Sequence, residues 1–372
     1  MRRLRPKAAG AWSVALAAIA ALFMDGGAST ALGASSSLRV ISMPLRVAVN
    51  SYDYGVNSGV APIPFYERVT STPDGALWYI TADGKHIARL SARGRLRVNA
   101  LPAALGISPS APQLSVGNDG AIRVAGCLPR DDRVGEGTLA RVTRAGRVED
   151  VVRYRLPPTG LPSTDFGGTC FLGLAQAADG AFWTTGTFNL LFRLAPGGEL
   201  GLFFGATPDP GYCGLARGAD GNVWVIENPY TRGVGPGPEN NAQQIARISS
   251  DGQVTEFRVG PLSDYQKCQL TSGPSRSLWS AAHGYIVKTQ LDGQVTKYPL
   301  IHGSGSKDII SLSSGPGRKI WFSSRSGRLG TVAANGRMRL YSDKIGPARV
   351  TAGPPGRLWA VTQRKAFLVS VK

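Results

Sequence analysis

Seven times along the chain a turn of small residues is followed by an apolar residue and then, in six of the seven cases, by Trp. The units read Ser71 to Thr81 (STPDGALWYIT), Gly117 to Gly126 (GNDGAIRVAG), Ala177 to Gly186, Ala219 to Glu227, Gly273 to Ala282, Gly315 to Ser324 and Gly353 to Thr362. Trp78, Trp183, Trp224, Trp279, Trp321 and Trp359 hold the aromatic position, and Arg123 replaces it in the second unit. A second turn follows each time between two short runs of alternating apolar and polar residues, with Asp-Gly or Asn-Gly at 251–252, 292–293 and 335–336. Such dipeptides supply the positive φ that tight hairpins need. Period-two alternation predicts strands, and no 3.6-residue apolar stripe predicts a helix. A repeat of about 47 residues is the size of one four-stranded blade. The chain is therefore predicted to be all-β, a seven-bladed β-propeller.

The seventh unit ends at Ala366 to Lys372, a third strand with no fourth strand behind it. Ser37 to Leu45 (SLRVISMPL) has the composition of the other outer strands. The N-terminal segment is expected to complete the last blade, which removes an open edge and ties the two chain ends together. The Trp residues are expected to pack between blades.

Residues 1–34 read differently. Arg2, Arg3, Arg5 and Lys7 precede an uncharged run from Ala11 to Phe23, then small residues that allow cleavage after Ala31 or Ala34. This is the layout of a secretory signal, and the run is too short to span a bilayer. The expected organisation is a signal over 1–34 and one propeller domain over 35–372, secreted or extracytoplasmic, with no transmembrane segment after the signal is removed. An uncleaved N-terminal anchor is the alternative.

The net charge is +18, from 42 Lys and Arg against 24 Asp and Glu. Such an excess favours polyanionic neighbours. The arginines are scattered over turns and outward strand positions, as in Arg93, Arg95 and Arg97 or Arg141, Arg144 and Arg147, with no dense run and no interleaved aromatics. Specific nucleic-acid binding is not expected. Four cysteines in an exported chain allow three pairings. Position favours Cys127 with Cys170 and Cys213 with Cys268, with a soft-metal thiol site as the alternative.

Segments such as Cys213 to Glu227 (CGLARGADGNVWVIE) followed by Gln244 to Val259 (QIARISSDGQVTEFRV) resemble the repeats of the virginiamycin B lyases, over residues 37 to 372. The resemblance implies a seven-bladed propeller and a Mg²⁺-assisted elimination that opens a cyclic depsipeptide, with His as base and His and Glu residues around the metal. Family repeats often begin Pro-His-Gly-Ile. Here that position holds Glu67, Pro112, Leu172, Cys213, Cys268, Ile310 and Ala348, and none is His. At the end of the second strand, where the family carries Glu, only Glu227 matches, and His283 lies one residue past the slot in its own repeat.

In this topology the starts of first strands and the ends of second and fourth strands share one face. The longest insertions, 50–67, 127–137, 157–170 and 228–244, emerge there and would rim a central funnel. Glu227 and His283 form a candidate carboxylate and base pair in neighbouring blades. Asp131, Asp132, Asp165, Asp264 or Asp308 could add a third metal ligand, though no spacing selects one. His86 and His302 read as turn residues. No cofactor is assured, with Mg²⁺ following only if the lyase chemistry is kept. The first expectation is a monomeric binding or scaffold propeller that takes a small ligand, a peptide or an anionic surface polymer through its loop face; a divergent streptogramin-type carbon-oxygen lyase is the rival.

Overall fold

The computed structural model describes residues 37–46, 69–107, 113–128, 136–156, 171–186, 190–203, 210–229, 242–261, 269–282, 284–300 and 309–371. The chain divides into two units, Met1–Ser35 and Ser36–Lys372, and all described residues fall in the second. The predicted signal lies outside the described residues; among the described residues no helix is long and apolar enough to cross a membrane.

The described strands form seven sheets of four antiparallel strands. In chain order within each sheet, blade one comprises Val69–Ser71, Leu77–Ile80, His86–Leu90 and Leu96–Ala100. Blade two comprises Gln113–Val116, Ile122–Leu128, Glu136–Val142 and Val148–Arg155. Blade three holds Phe171–Gln176, Phe182–Gly186, Leu191–Leu194 and Leu200–Phe203. Blade four holds Pro210–Arg217, Val223–Pro229, Ala242–Ile248 and Val254–Pro261. Leu270–Gly273, Ser277–Ala282, Tyr285–Thr289 and Val295–Pro299 make blade five. Ile309–Gly315, Lys319–Ser324, Arg328–Val332 and Met338–Lys344 make blade six. Blade seven takes Arg349–Ala352, Leu358–Val361 and Lys365–Val371 from the end of the chain and Leu38–Pro44 from its beginning.

That last pairing is the closure expected from the sequence. It runs antiparallel from Leu38 opposite Val371 to Pro44 opposite Lys365, and the Leu38 amide donates to Asp343 Oδ2 of blade six at 2.9 Å. The first strands are innermost, and each neighbours the first strand of the next blade around the full circle.

Second strands such as Leu77–Ile80 and Leu358–Val361 are buried on both faces, because each lies between two flanking blades. Outer strands alternate toward solvent. All six Trp side chains of the repeat are fully buried. Trp78 packs against Ile122 and Val142 of blade two, Trp224 against Leu278 and Val287 of blade five, and Trp359 against Leu77 and Tyr79 of blade one. Trp359 Nε1 also donates to Gly75 O at 2.9 Å, a hydrogen bond between the last blade and the first. Within their own blades Trp224 stacks on Phe257 and Trp321 on Tyr341, with ring centroids 5.5 and 5.4 Å apart. In blade two, where Arg123 stands in place of Trp, its guanidinium lies over the Phe182 ring beside a half-open cleft of about 190 Å³.

Candidate functional site

Antiparallel order puts the starts of first strands and the ends of second strands on one face. Seven first strands converge on the axis, so the residue opposite each Trp position must be small. These are Thr70, Ser115, Ala175, Ala216, Thr271, Ser313 and Thr351. Two of their hydroxyls are turned onto the following carbonyl, Thr271 onto Ser272 O at 3.2 Å and Ser313 onto Ser314 O at 2.9 Å. An axial channel of about 180 Å³ runs past these hydroxyls and past an apolar ring that includes Leu114, Leu174, Leu215 and Leu312. At its loop-face end stand Gln269, preceding the first strand of blade five, and Arg349, opening that of blade seven. Each follows immediately the slot where family repeats carry His. Neither was singled out from sequence; their position one place beyond that slot was the available signal.

Glu227 sits near the end of the second strand of blade four. Side chains alternate along a strand, so it shares a face with Val223 and Val225, which pack on Trp183 and Leu191 of blade three. Tyr212 and Gln244 flank it across the sheet. Trp224 points the other way, into blade five. Glu227 is fully buried, and among the described residues neither carboxylate oxygen has a hydrogen-bond partner. Burial pushes its pKa up to about 8, helped by the negative charge of Glu256. At neutral pH it is a protonated carboxylic acid, a donor with no anionic charge to offer.

Residue 283 lies outside the described residues. It follows Ala282, the last residue of the second strand of blade five, and Glu227 is turned away from that blade toward blade three. Asp131, Asp132, Asp165, Asp264, Asp308 and His302 lie outside the described residues as well. His86 opens the third strand of blade one just after a turn, with Nδ1 2.9 Å from Asp83 Oδ2. Among the described residues no three His, Cys, Asp or Glu side chains converge as a metal site. Among the described residues, the groups beside Glu227 are Tyr212 and Gln244, neither an anionic oxygen of the kind a Mg²⁺ ion prefers. Cys127 and Cys213 lie on described strands, whereas Cys170 and Cys268 fall outside, as does the core of each long insertion.

Two of the slots carry a backbone irregularity. In blades three and four the pairing register slips between Leu172 and Ala175 and between Cys213 and Leu215. Gly173 and Gly214 occupy these bulges with φ of 84° and 61°, in the left-handed region that glycine alone enters freely. They stand where Gly follows His in the family repeat.

A family model described as the virginiamycin B lyase family matches residues 172–368. Among curated proteins none matches the sequence. Virginiamycin B lyase from Staphylococcus aureus superimposes with a TM-score of 0.64 at 18% identity, over 90% of this chain and 100% of that one. A catalytically inactive His-to-Ala variant of the same enzyme, solved with quinupristin, matches with a TM-score of 0.63 at 16% identity over 90% of this chain and 100% of that chain. The extracellular domain of a hybrid two-component system from B. thetaiotaomicron matches with a TM-score of 0.55 at 14% identity, over 90% of this chain and 40% of that one.

Proposed function

The chain belongs to the virginiamycin B lyase family, and from that premise we propose that it uses the family's propeller as an extracytoplasmic binding module and has given up the elimination chemistry. The observation that carries this reading is the composition of the seven family slots, residues 67, 112, 172, 213, 268, 310 and 348, none of which is His. The enzyme it resembles is inactive in a His-to-Ala variant. Proton abstraction needs a base with a pKa near the working pH and within reach of the substrate. Glu227 is turned between blades and holds its proton up to a pH of about 8, so it is a hydrogen-bonding acid and not a ready base.

What the axial mouth offers is recognition. Arg349 supplies a planar fork for a carboxylate or phosphate, Gln269 a paired donor and acceptor, and the channel beneath them is lined by apolar side chains and then hydroxyls. A small anionic ligand suits that set, and the long insertions around it suit the capture of an exposed peptide. Export through the N-terminal signal, disulfides from the four cysteines and a monomeric state complete the reading; an extracellular propeller domain among the structural relatives supports it.

The test is incubation of the full chain with quinupristin and Mg²⁺, with ring opening followed by chromatography, alongside thermal shift with citrate as a small anionic probe. The expected result is no ring opening and a citrate-dependent rise in Tm that Arg349→Ala and Gln269→Ala both diminish. Mg²⁺-dependent ring opening that a chelator stops, and that Glu227→Gln and His283→Ala each abolish, would replace this reading with the lyase one.

A further inference from the structure

The opposite face of the propeller carries a cleft of about 750 Å³ lined by Asp74, Arg89, Arg93, Arg95, Arg97 and Arg144. Arg93, Arg95 and Arg97 belong to one blade and Arg144 to the next; the ring brings them together. Arg97 lies opposite Arg89 across blade one, and Arg89 lies opposite Trp78. Trp78 packs on blade two, so Arg89, Arg95 and Arg97 share the side of blade one that faces it. Arg144 comes from the turn between the third and fourth strands of blade two.

Both turns are closed by a backbone and a side-chain hydrogen bond. Ser91 holds the first through its amide to Arg95 O at 3.0 Å, and its Oγ accepts from the Arg95 amide at 3.0 Å. Thr143 holds the second in the same way, its amide reaching Arg147 O at 2.9 Å. The second turn also seats on blade one, since a Cβ at Gly146 would run into the Asn99 amide. The cleft has five guanidinium groups and a single carboxylate, and Asp74 is already engaged by Arg89 at 2.8 Å. No ion pair within the described residues engages Arg93, Arg95, Arg97 or Arg144. Like charges held this close repel, a cost that a bound anion removes.

The concentration is local. The equivalent turns of blades three, four and five, Ala195–Glu199, Ser249–Gln253 and Gln290–Gln294, carry Glu199, Asp251 and Asp292 and no Arg. A basic turn is thus no requirement of the repeat.

The geometry points to this cleft as a binding site for a linear polymer of repeated oxyanions, phosphate or carboxylate, on a non-aromatic backbone. Several guanidinium forks in one cleft match several oxyanions better than one. The lining contains no Phe, Tyr or Trp on which nucleic-acid bases could stack. The site lies on the face away from the axial mouth, and the inference is independent of the function proposed for that mouth.

The experiment is titration calorimetry of the full chain with inorganic polyphosphate and, separately, polygalacturonate, at two salt concentrations. The triple variant Arg95→Ser, Arg97→Ser, Arg144→Ser is compared with a control of equal charge, Arg337→Ser, Arg357→Ser, Arg364→Ser, whose residues are exposed and outside the cleft. Thermal melts confirm that both fold. The cleft variant is expected to lose at least about tenfold in affinity and to flatten the salt dependence by about two charges, with the control within about twofold of the parent. Binding of polyphosphate alone assigns phosphate as the oxyanion, and binding of polygalacturonate alone assigns carboxylate. Equal losses in both variants, binding of neither polymer, or tighter binding of oligodeoxythymidine through the same arginines would overturn the assignment.

Discussion

The buried acid of blade four gives a quantitative test of how the site is built. Glu227 has an ordinary pKa of 4.5, raised to about 8 in the fold, with no hydrogen-bond partner for either oxygen among the described residues. Below pH 4.5 the side chain is protonated in both folded and unfolded chains and adds no pH dependence. Between these two values the folded state keeps a proton that the unfolded state releases, so stability falls as pH rises, by about 1.4 kcal/mol per unit. The loss levels off above pH 8 at about 5 kcal/mol, and at pH 7 it stands at about 3 kcal/mol. Glu227→Gln keeps the shape and cannot ionise, so it should match the parent near pH 4.5 and exceed it by about 3 kcal/mol at pH 7. Urea unfolding followed by Trp fluorescence at pH 4.5, 6, 7 and 8.5 reads the difference, since the six Trp of the repeat are fully buried in the folded state. Other titrating groups cancel between the two proteins. Parallel pH profiles, or a Gln variant less stable than the parent at pH 7, would show that the acid has a partner that keeps it ionised, and the reasoning about its protonation would fail.

Other consequences follow from the packing. Deleting residues 37–45 removes the outer strand of blade seven and exposes the edge of Lys365–Val371; a melting transition that is lower and broader than the parent's is expected in calorimetry, and an unchanged one would refute the closure. Trp359→Phe and Trp183→Phe remove the same atoms from fully buried sites, but only Trp359 Nε1 has a hydrogen-bond partner. The first should therefore cost about 1 kcal/mol more than the second in denaturant unfolding, and equal costs would contradict the hydrogen bond between blades. Arg123→Trp restores the repeat residue beside a cleft of about 190 Å³, with Asp119 placed as Asp220 is for Trp224 Nε1 at 3.3 Å. A gain of about 1 kcal/mol is expected from the apolar surface the ring covers, and a lower Tm would show that the Asp119 ion pair with Arg123 outweighs packing.

The sequence was sufficient to predict the ring. Each blade is a local object, written in a turn, a buried aromatic and a hairpin within about 47 residues, and the unpaired Ala366 to Lys372 together with Ser37 to Leu45 announced the closing pair. The loss of His from the family slots was equally plain, because a repeat carries its own alignment. Tertiary structure alone decided which neighbour each side chain meets. Alternation shows that Glu227 and Trp224 face opposite ways, but only the order of blades around the axis turns the carboxyl toward blade three. Gln269 and Arg349 are about eighty positions apart in sequence and share a channel because every first strand ends at the same axis. Arg97 and Arg144 likewise look like separate surface charges until two turns from adjacent blades dock side by side. A repeat sequence fixes the unit and its count through short-range contacts, whereas charge and shape at the axis and between blades are sums over units, and those sums exist only once the ring is closed.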